Sequence, residues 1–493
     1  MNTQAVIPDP RIVFLLGIPF HDVTMLETLD YMDRLIARRK PAYLATANLD
    51  FAAQTSRDVE LQRILFDAEL VLCDGTPLVW ASRWLGAPLR ERVAGSDLMP
   101  FLFAHAAKMG HRLYFLGSSE EVLEIATRKC LEQYPGLNIC GTFAPPYAKL
   151  LELDEEEIAR RIREARPDIL LVAMGCPKQE KWIYKNYRKL GVPVSIGIGA
   201  SLDFIAGKFR RAPVWMRVCG LEWVFRLMQE PRRLFNRYLF DLLFFVRTLR
   251  KERALLMAKA GKAAVPAEGK VIENESWQNV VCYVWSGRID ADAVLNKAVA
   301  AINPDRNRPN VLLDCSKVTF IDSMGLGLFI KSFRNCKAGG GTFVVLKPSE
   351  IVGKMLVLMQ LDRLIPTAKN DEEAGLLLKI TAPATTEFTE FSIATRTVTV
   401  PLSGDLTAAT VAACERFVFS AWNNSQQALF LSVDLTRVSF IDSSGLGLLI
   451  KFAKLVRQRP GAELTILNPS ANVRNVIHLA HLGGVLGLKP SSS

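Results

Sequence analysis

Long uncharged apolar stretches are missing from this 493-residue chain. No window offers the roughly 20 apolar residues that a membrane-spanning helix needs. Cysteine is thinly spread: nine residues with no Cys-x-x-Cys spacing. That pattern excludes a disulfide framework and points to reduced thiols in a cytosolic compartment. Histidine is scarcer still, with His21, His105, His111, His478 and His481 alone and no His-Glu-x-x-His pair. No glycine-rich Walker loop is present, which disfavours nucleotide hydrolysis. No residue type dominates a composition that is 49% hydrophobic and 23% charged, so a mainly disordered or collagen-like chain is excluded. The apolar run Ile12–Phe20 behind Arg11 has no clear small-residue cleavage site after it, unlike a secretory signal. Gly17-Ile-Pro19 reads instead as the end of a buried first strand.

The net charge of +11 is not a property of the whole chain. Residues 208–262 hold fourteen Lys/Arg against four Asp/Glu, and the remainder holds 47 against 46. A general electrostatic coat for nucleic acid is therefore disfavoured, and one 55-residue segment has to explain the excess.

The length fits about three domains. Residues 1–205 alternate short apolar runs with longer amphipathic stretches. Tyr43–Ala47, Leu70–Cys73, Arg112–Leu116, Ile169–Met174 and Val194–Ile198 are predicted strands, and Met25–Arg38 and Leu98–Lys108 predicted helices. This is the βαβ pattern of a Rossmann-like α/β fold, a parallel sheet with helices on both faces. Polar clusters follow the apolar runs: Thr46-Ala-Asn48, Asp74-Gly-Thr76, Gly117-Ser-Ser119, Gly175 to Glu180 and Gly197-Ile-Gly199. Such folds gather functional groups at the carboxyl ends of their strands. Residues 206–257 then interleave arginine with Trp215, Trp223, Phe235, Tyr238, Leu242 and Phe245, many of them at helical spacing. The stretch Ala258–Gly269 reads as a linker.

The rest is an internal repeat with an offset of 120 residues. Val311-Leu-Leu-Asp-Cys-Ser-Lys-Val-Thr-Phe-Ile-Asp-Ser-Met-Gly-Leu-Gly327 matches Leu431-Ser-Val-Asp-Leu-Thr-Arg-Val-Ser-Phe-Ile-Asp-Ser-Ser-Gly-Leu-Gly447. Two copies at this period are duplicated globular domains. Asp322-Ser-Met-Gly-Leu-Gly327 and Asp442-Ser-Ser-Gly-Leu-Gly447 resemble the STAS domain (sulfate transporter and anti-sigma factor antagonist) over roughly 272–382 and 388–490. The resemblance implies phosphorylation sites at Ser323 and Ser443, with a kinase and phosphatase as partners. A phosphate there would sit at the positive end of a helix dipole; the plain alternative for each serine is an N-cap. Met324 departs from the pattern of the second copy, so Ser443 ranks above Ser323.

In the first half the strand-end residues Thr46, Asn48, Asp50, Asp74, Arg92, Ser96, Asp97, Gln179 and Asp203 form a candidate site. A carboxylate on the Cys73-Asp74-Gly75 turn can act as a general base if its neighbours set its pKa. Arg92 and the glycine turns, Gly117 among them, can cradle a diphosphate. The ordered set runs from Thr46-Ala-Asn48 through Arg92-Val-Ala-Gly-Ser-Asp97 and Tyr114-Phe-Leu-Gly117. It continues with Gly175-Cys-Pro-Lys-Gln-Glu180, Gly197 to Gly207, Arg211-Ala-Pro-Val-Trp215, Gly220-Leu-Glu-Trp223 and Glu230-Pro-Arg-Arg233. Over about residues 12–250 it resembles the bacterial N-acetylmannosaminyltransferases and related sugar transferases of cell-surface polymers. The resemblance implies inverting transfer from a UDP-sugar to a polyprenyl-diphosphate-linked acceptor, with no metal or other cofactor. Asp74 would be the base, and Thr46 and Asn48 would line the sugar pocket. Arg92, Gln179, Ser96 and Gly117 would hold substrate groups, and Asp203 would lie near the nucleotide. Arg226, Arg233 and Arg237 would meet the acceptor diphosphate.

Asp290-Ala-Asp292 mimics a metal-holding Asp-x-Asp but lies in the first repeat; His478-x-x-His481 reads as a helix surface. The basic segment reads as a membrane-surface appendage, with a solvated helix face as the plain alternative. The expected division is a catalytic domain over 1–207, the appendage over 208–257, a linker over 258–270, and STAS-like domains over 271–382 and 383–493. The leading reading is an enzyme, peripheral on the inner face of the cytoplasmic membrane, regulated or docked through its repeats. Its rival is a non-catalytic UDP-sugar-sensing scaffold for partner switching.

Overall fold

The computed structural model describes residues 10–488 apart from 149, 210, 258–265, 273–279, 305–307, 381–391, 395, 409, 424, 426–427, 439, 481, 485 and 487. Strands β1 (Ile12–Leu15) and β2 (Ile18–His21) pair antiparallel. Leu16 and Gly17 between them take φ of 51° and 85°, the left-handed values that a two-residue hairpin turn requires. The apolar run expected as one strand therefore folds back on itself, and Gly17 makes the turn.

A six-stranded parallel sheet follows, built from β3 (Ala42–Ala47), β4 (Leu70–Cys73), β5 (Arg112–Gly117), β6 (Asn138–Phe143), β7 (Ile169–Ala173) and β8 (Val194–Gly197) in the order β4-β3-β8-β7-β5-β6. Strands β4 and β7 are buried at every position, as expected when helices cover both faces. The helices are α1 (Met25–Arg38), α2 (Leu49–Thr55), α3 (Val59–Asp67), α4 (Thr76–Trp84), α5 (Gly95–Met109), α6 (Glu120–Gln133), α7 (Glu155–Ala165), α8 (Lys178–Leu190) and α9 (Ser201–Ala206). The first begins at a capping box in which Thr24 and Glu27 satisfy each other's backbone N–H. Its apolar positions Met25, Leu29, Met32 and Ile36 are buried, one stripe at helical spacing. The basic segment forms α10 (Val214–Val218), α11 (Glu222–Gln229) and the 27-residue α12 (Pro231–Met257).

Each repeat is a small α/β unit. The first has strands β9 (Glu268–Ile272), β10 (Val280–Ile289), β11 (Asn310–Ile321), β12 (Phe343–Leu346) and β13 (Thr367–Ala368), ordered β13-β12-β11-β10-β9. Its helices are α13 (Ala291–Leu295), α14 (Ser323–Ala338), α15 (Glu350–Leu358) and α16 (Asp371–Ile380). Strand β9 begins inside the stretch read as linker. The second has β14 (Ser392–Ala394), β15 (Thr397–Ser403), β16 (Phe430–Arg437) and β17 (Glu463–Leu467) in that spatial order, with α17 (Val411–Asn423), α18 (Ser443–Arg457) and α19 (Ala471–Leu479). In both, the first strand runs antiparallel to the second, and the second pairs parallel with the motif strand.

The chain divides into two compact units: residues 1–336 with 345–369, and residues 337–344 with 370–493. The first unit therefore holds the parallel sheet together with the motif strand and helix of the first repeat. Met324 of α14 belongs to the same buried cluster as Val13, Leu15 and Leu16. Gln62 Nε2 donates to the Met359 carbonyl at 3.1 Å, and Arg334 Nη1 lies 3.3 Å from His21 Nε2.

Candidate active site

The carboxyl ends of β3, β4 and β8 lie side by side in the sheet, and Asp74 follows directly on β4. The Asp74 N–H donates to the Ala47 carbonyl at 2.9 Å, and the Val93 N–H donates to the Cys73 carbonyl at 2.9 Å. These bonds hold the Asp-Gly turn between the end of β3 and the segment that carries Arg92. Burial raises the Asp74 carboxyl to about 6; Arg92, Arg226 and the Gly95 N–H draw it down, and Glu222 pushes it up. A carboxylate so tuned is ionised near neutrality yet basic enough to take a proton.

Arg92 pairs with Asp97 and, at 3.4 Å, with Glu222. Asp97 also gathers Arg211 and Arg217, the latter at 3.1 Å, while Arg211 Nη2 donates to Ser96 Oγ at 2.8 Å. A cleft of about 400 Å³ opens beside this group, lined by Thr76, Trp80, Arg83, Arg90, Arg92 and Arg217 among others. Three arginines share Asp97 at its edge, and Arg92 also meets Glu222. Guanidinium donors gathered in this way suit an anionic ligand.

Thr46 is buried at the end of β3 and its Oγ1 lies 3.3 Å from the Gly197 carbonyl, to which it donates. Asn48 caps α2 by accepting the Phe51 N–H at 3.3 Å. Asp50, two residues on, is buried and bound to Arg237 at 2.7 Å and to Gln54 Nε2 at 2.6 Å. Burial raises the Asp50 carboxyl, and Arg237 opposes the rise. Burial also raises Asp241, a turn along α12 from Arg237, to about 6, with Asp50 adding to the effect. Two carboxyls thus share the Arg237 guanidinium.

Several expected ligands have structural duties. Gln179 is buried, its Oε1 accepting the Gly175 and Gly199 N–H groups at 3.1 Å each and its Nε2 donating to Glu180 at 2.7 Å. It ties the β7 and β8 turns together, and those bonds occupy its side chain. Gly117 (φ 101°) sits where a Cβ would lie 2.5 Å from the Ala173 carbonyl oxygen; the close approach of β5 and β7 requires glycine there. Asp203 pairs with Lys208 at 3.6 Å. Arg226 is brought toward Asp74 and lies over the Phe204 ring at 5.1 Å. Arg233 is on α12, but its side chain lies outside the described residues.

Outside the cleft, Asp290 caps α13 by accepting the Ala293 N–H at 3.2 Å and pairs with Arg288. His105 and His111 each place Nε2 2.8 Å from a different Asp33 oxygen, joining α5 and the start of β5 to α1. His478 ends α19, and His481 lies outside the described residues. Ser323 is buried, and its Oγ donates to Glu252 of α12 at 3.2 Å. In this structure α12 covers the Ser323 hydroxyl, the side chain expected to accept a phosphate. Ser443 is partly exposed.

Sequence reasoning passed over Arg211, Arg217, Glu222, Asp241 and Glu252 as individual site residues. A signal was present. The basic segment holds only four acids, and three of them, Glu222, Asp241 and Glu252, make the contacts just described.

Comparison with known proteins gives the family. The family model for glycosyl transferases of the WecG/TagA/CpsF family matches residues 13–258, and the STAS domain model matches 271–374 and 389–493. An N-acetylglucosaminyldiphosphoundecaprenol N-acetyl-beta-D-mannosaminyltransferase of Bacillus spizizenii is 32% identical over 232 residues, 47% of this chain and 86% of that protein. The protein of the same name from Staphylococcus aureus is 30% identical over 224 residues, 45% of this chain and 86% of its own. Among solved structures, the unphosphorylated anti-sigma factor antagonist SpoIIAA is similar at 29% identity, over 19% of this chain and 82% of that one, with a TM-score of 0.17. Through residues 13–258 the chain belongs to the WecG/TagA/CpsF family of glycosyl transferases, and it is a glycosyltransferase that carries two STAS domains after its catalytic half.

Proposed function

We propose that the chain moves N-acetylmannosamine, or a closely related sugar, from a UDP donor to a polyprenyl-diphosphate-linked acceptor in cell-surface polymer synthesis. The observation that carries this reading is Asp74, a strand-end carboxyl raised to about 6 between Arg92 and Arg226. Asp74 takes the acceptor hydroxyl proton as that oxygen attacks the anomeric carbon, in one inverting displacement. Charge develops on the leaving diphosphate, and preorganised cations stabilise it there. Arg92 and Arg217 beside the 400 Å³ cleft are suited to that task, and Arg226 and Arg237 to the acceptor side. Thr46 and Asn48 border the sugar position. Gln179 supports the fold of the loops.

The reading places the enzyme on a membrane surface. No described helix is long and apolar enough to cross a membrane. Phe235, Leu239, Leu242 and Val246 are exposed on α12, at spacings that form one apolar stripe among arginines. The second STAS domain supplies the regulatory face, with Ser443 as its phosphoacceptor.

The test is a transfer assay with UDP-sugars and a lipid-diphosphate acceptor held in anionic vesicles. Asp74→Asn should lower kcat about 10²–10⁴-fold while donor KM moves less than about threefold. Full activity in that variant removes Asp74 from the role. Aspartate at Phe235 and Leu242 should release the protein from the vesicles, and unchanged flotation sinks the membrane reading.

A further inference from the structure

The motif face of the first STAS domain is occupied by the chain's own α12. Ser323 opens α14 and is 1% exposed; Glu252 is 0% exposed. Glu252 Oε1 accepts the Ser323 hydroxyl at 3.2 Å, the Leu16 N–H helps to lower the same carboxyl, and Oε2 has no hydrogen-bond partner among the described residues. A buried acid group therefore sits at the positive end of α14, where a phosphate on Ser323 would otherwise lie. Burial raises Glu252 to about 8, so it is mainly neutral at pH 7 and avoids the cost of a buried unpaired charge.

The seat around this contact is tight. A Cβ on Gly327 would lie 2.4 Å from the Ile12 carbonyl oxygen, so α14 meets β1 backbone to backbone. Fifteen residues before Glu252 on the same helix, roughly 22 Å along its axis, Arg237 holds Asp50, two residues past the strand-end Asn48. Helix α11, which brings Arg226 toward Asp74, packs on α12. An unbroken helix transmits position between its ends, so the grip at Glu252 bears on where the cleft arginines stand.

We propose that the first STAS domain is a positioning domain of the transferase, whose Ser323 face clamps α12 through Glu252 and so holds Arg237 and α11 over the catalytic cleft. Ser323 is a positioning residue that donates to Glu252. A carboxylate or phosphate at position 323 would confront the Glu252 oxygens and break the clamp. The proposal rests on the cleft being the transfer site.

The test uses the full chain and two readouts: hydrogen–deuterium exchange, and the split of kcat and KM with the lipid acceptor. Ser323→Asp should speed exchange across Ile12–Leu16 and the last turns of α12 by about tenfold or more and raise acceptor KM more than about fivefold, with donor KM unchanged. Glu252→Ala should do the same, and Glu252→Gln, which keeps shape and acceptor, should stay within about twofold of wild type. Ser323→Ala should shift both readouts in the same direction by less, and it decides the case if Ser323→Asp unfolds the whole unit. Wild-type exchange and acceptor KM in both Ser323 variants overturn the clamp, as does a Glu252→Gln variant no better than Glu252→Ala. Exchange reads the clamp without turnover. A chain that exchanges as expected but transfers no sugar would therefore sink the catalytic reading and leave the clamp standing.

Discussion

The two STAS domains begin their motif helices in nearly the same way. Asp322 Oδ1 accepts the Met324 and Gly325 N–H groups at 2.8 and 2.9 Å; Asp442 Oδ1 accepts those of Ser444 and Gly445 at the same distances. The other oxygen of each holds the segment that follows the domain's second strand, through Ala291 N–H at 3.1 Å and Ala408 N–H at 3.3 Å. Gly325 and Gly445 each admit a close backbone, since a Cβ would lie 2.6 Å from the Ile289 oxygen and 2.4 Å from the Leu406 oxygen. The difference starts at the serine. Ser323 is covered by Glu252 and its helix is seated on β1, whereas Ser443 is partly exposed. The shared motif encodes how a helix starts. What the serine does is decided by the surface packed against it.

The largest effects should come from the glycines. Gly327→Ala puts a methyl group 2.4 Å from the Ile12 oxygen and should destabilise the catalytic unit by about 1–3 kcal/mol. Gly445→Ala should cost a similar amount within the second domain and leave transfer rates unchanged. Calorimetry paired with the transfer assay checks both, and a loss of transfer in the Gly445 variant would show that the domains are not separable in this way. Next, phosphopeptide mass spectrometry on protein from its host should find at least about tenfold more phosphate on Ser443 than on Ser323, about 1.4 kcal/mol of discrimination. Glu252→Ala should narrow the ratio, and phosphate mainly on Ser323 of the intact protein would reverse the comparison.

The smallest effect is on pH dependence. Glu252 holds its proton to about 8 in the folded chain against an ordinary value near 4.3. Its contribution to stability is therefore full below the ordinary value and is lost as pH rises through 8. Its hydrogen-bond partner among the described residues, the Ser323 hydroxyl, does not titrate in this range. Melting curves from pH 5.5 to 8.5 should fall more steeply for wild type than for Glu252→Gln, by about 2–4 °C. The raised carboxyls of Asp74, Glu180 and Asp241 are common to both proteins and cancel. Parallel curves would return Glu252 to a passive role.

Much of the fold was legible because each signal was local. Continuous apolar runs marked β4 and β7, and period-3.6 apolar spacing marked α1 to the residue. The hairpin at Leu16–Gly17 escaped because two buried strands and a tight turn read as one apolar run. In the site, the strand-end pattern named Asp74 and Arg92; Arg92 lines the cleft, and its charge lowers the Asp74 carboxyl. Gln179 was visible as part of a motif, but its role depends on the Gly175 and Gly199 amides, 20 residues apart on Gly199's side, and no spacing rule connects them.

By itself the sequence determined the parallel-sheet class, the duplication and the confinement of the positive charge to residues 208–262, because periodicity, repetition and charge are properties of neighbouring residues. Tertiary structure alone decided that Glu222 meets Arg92 and Glu252 meets Ser323, and that one of two like motifs is covered. Those pairings span 130 and 71 residues of chain. Burial raises the stakes of each, since an acid removed from water must find a partner or keep its proton.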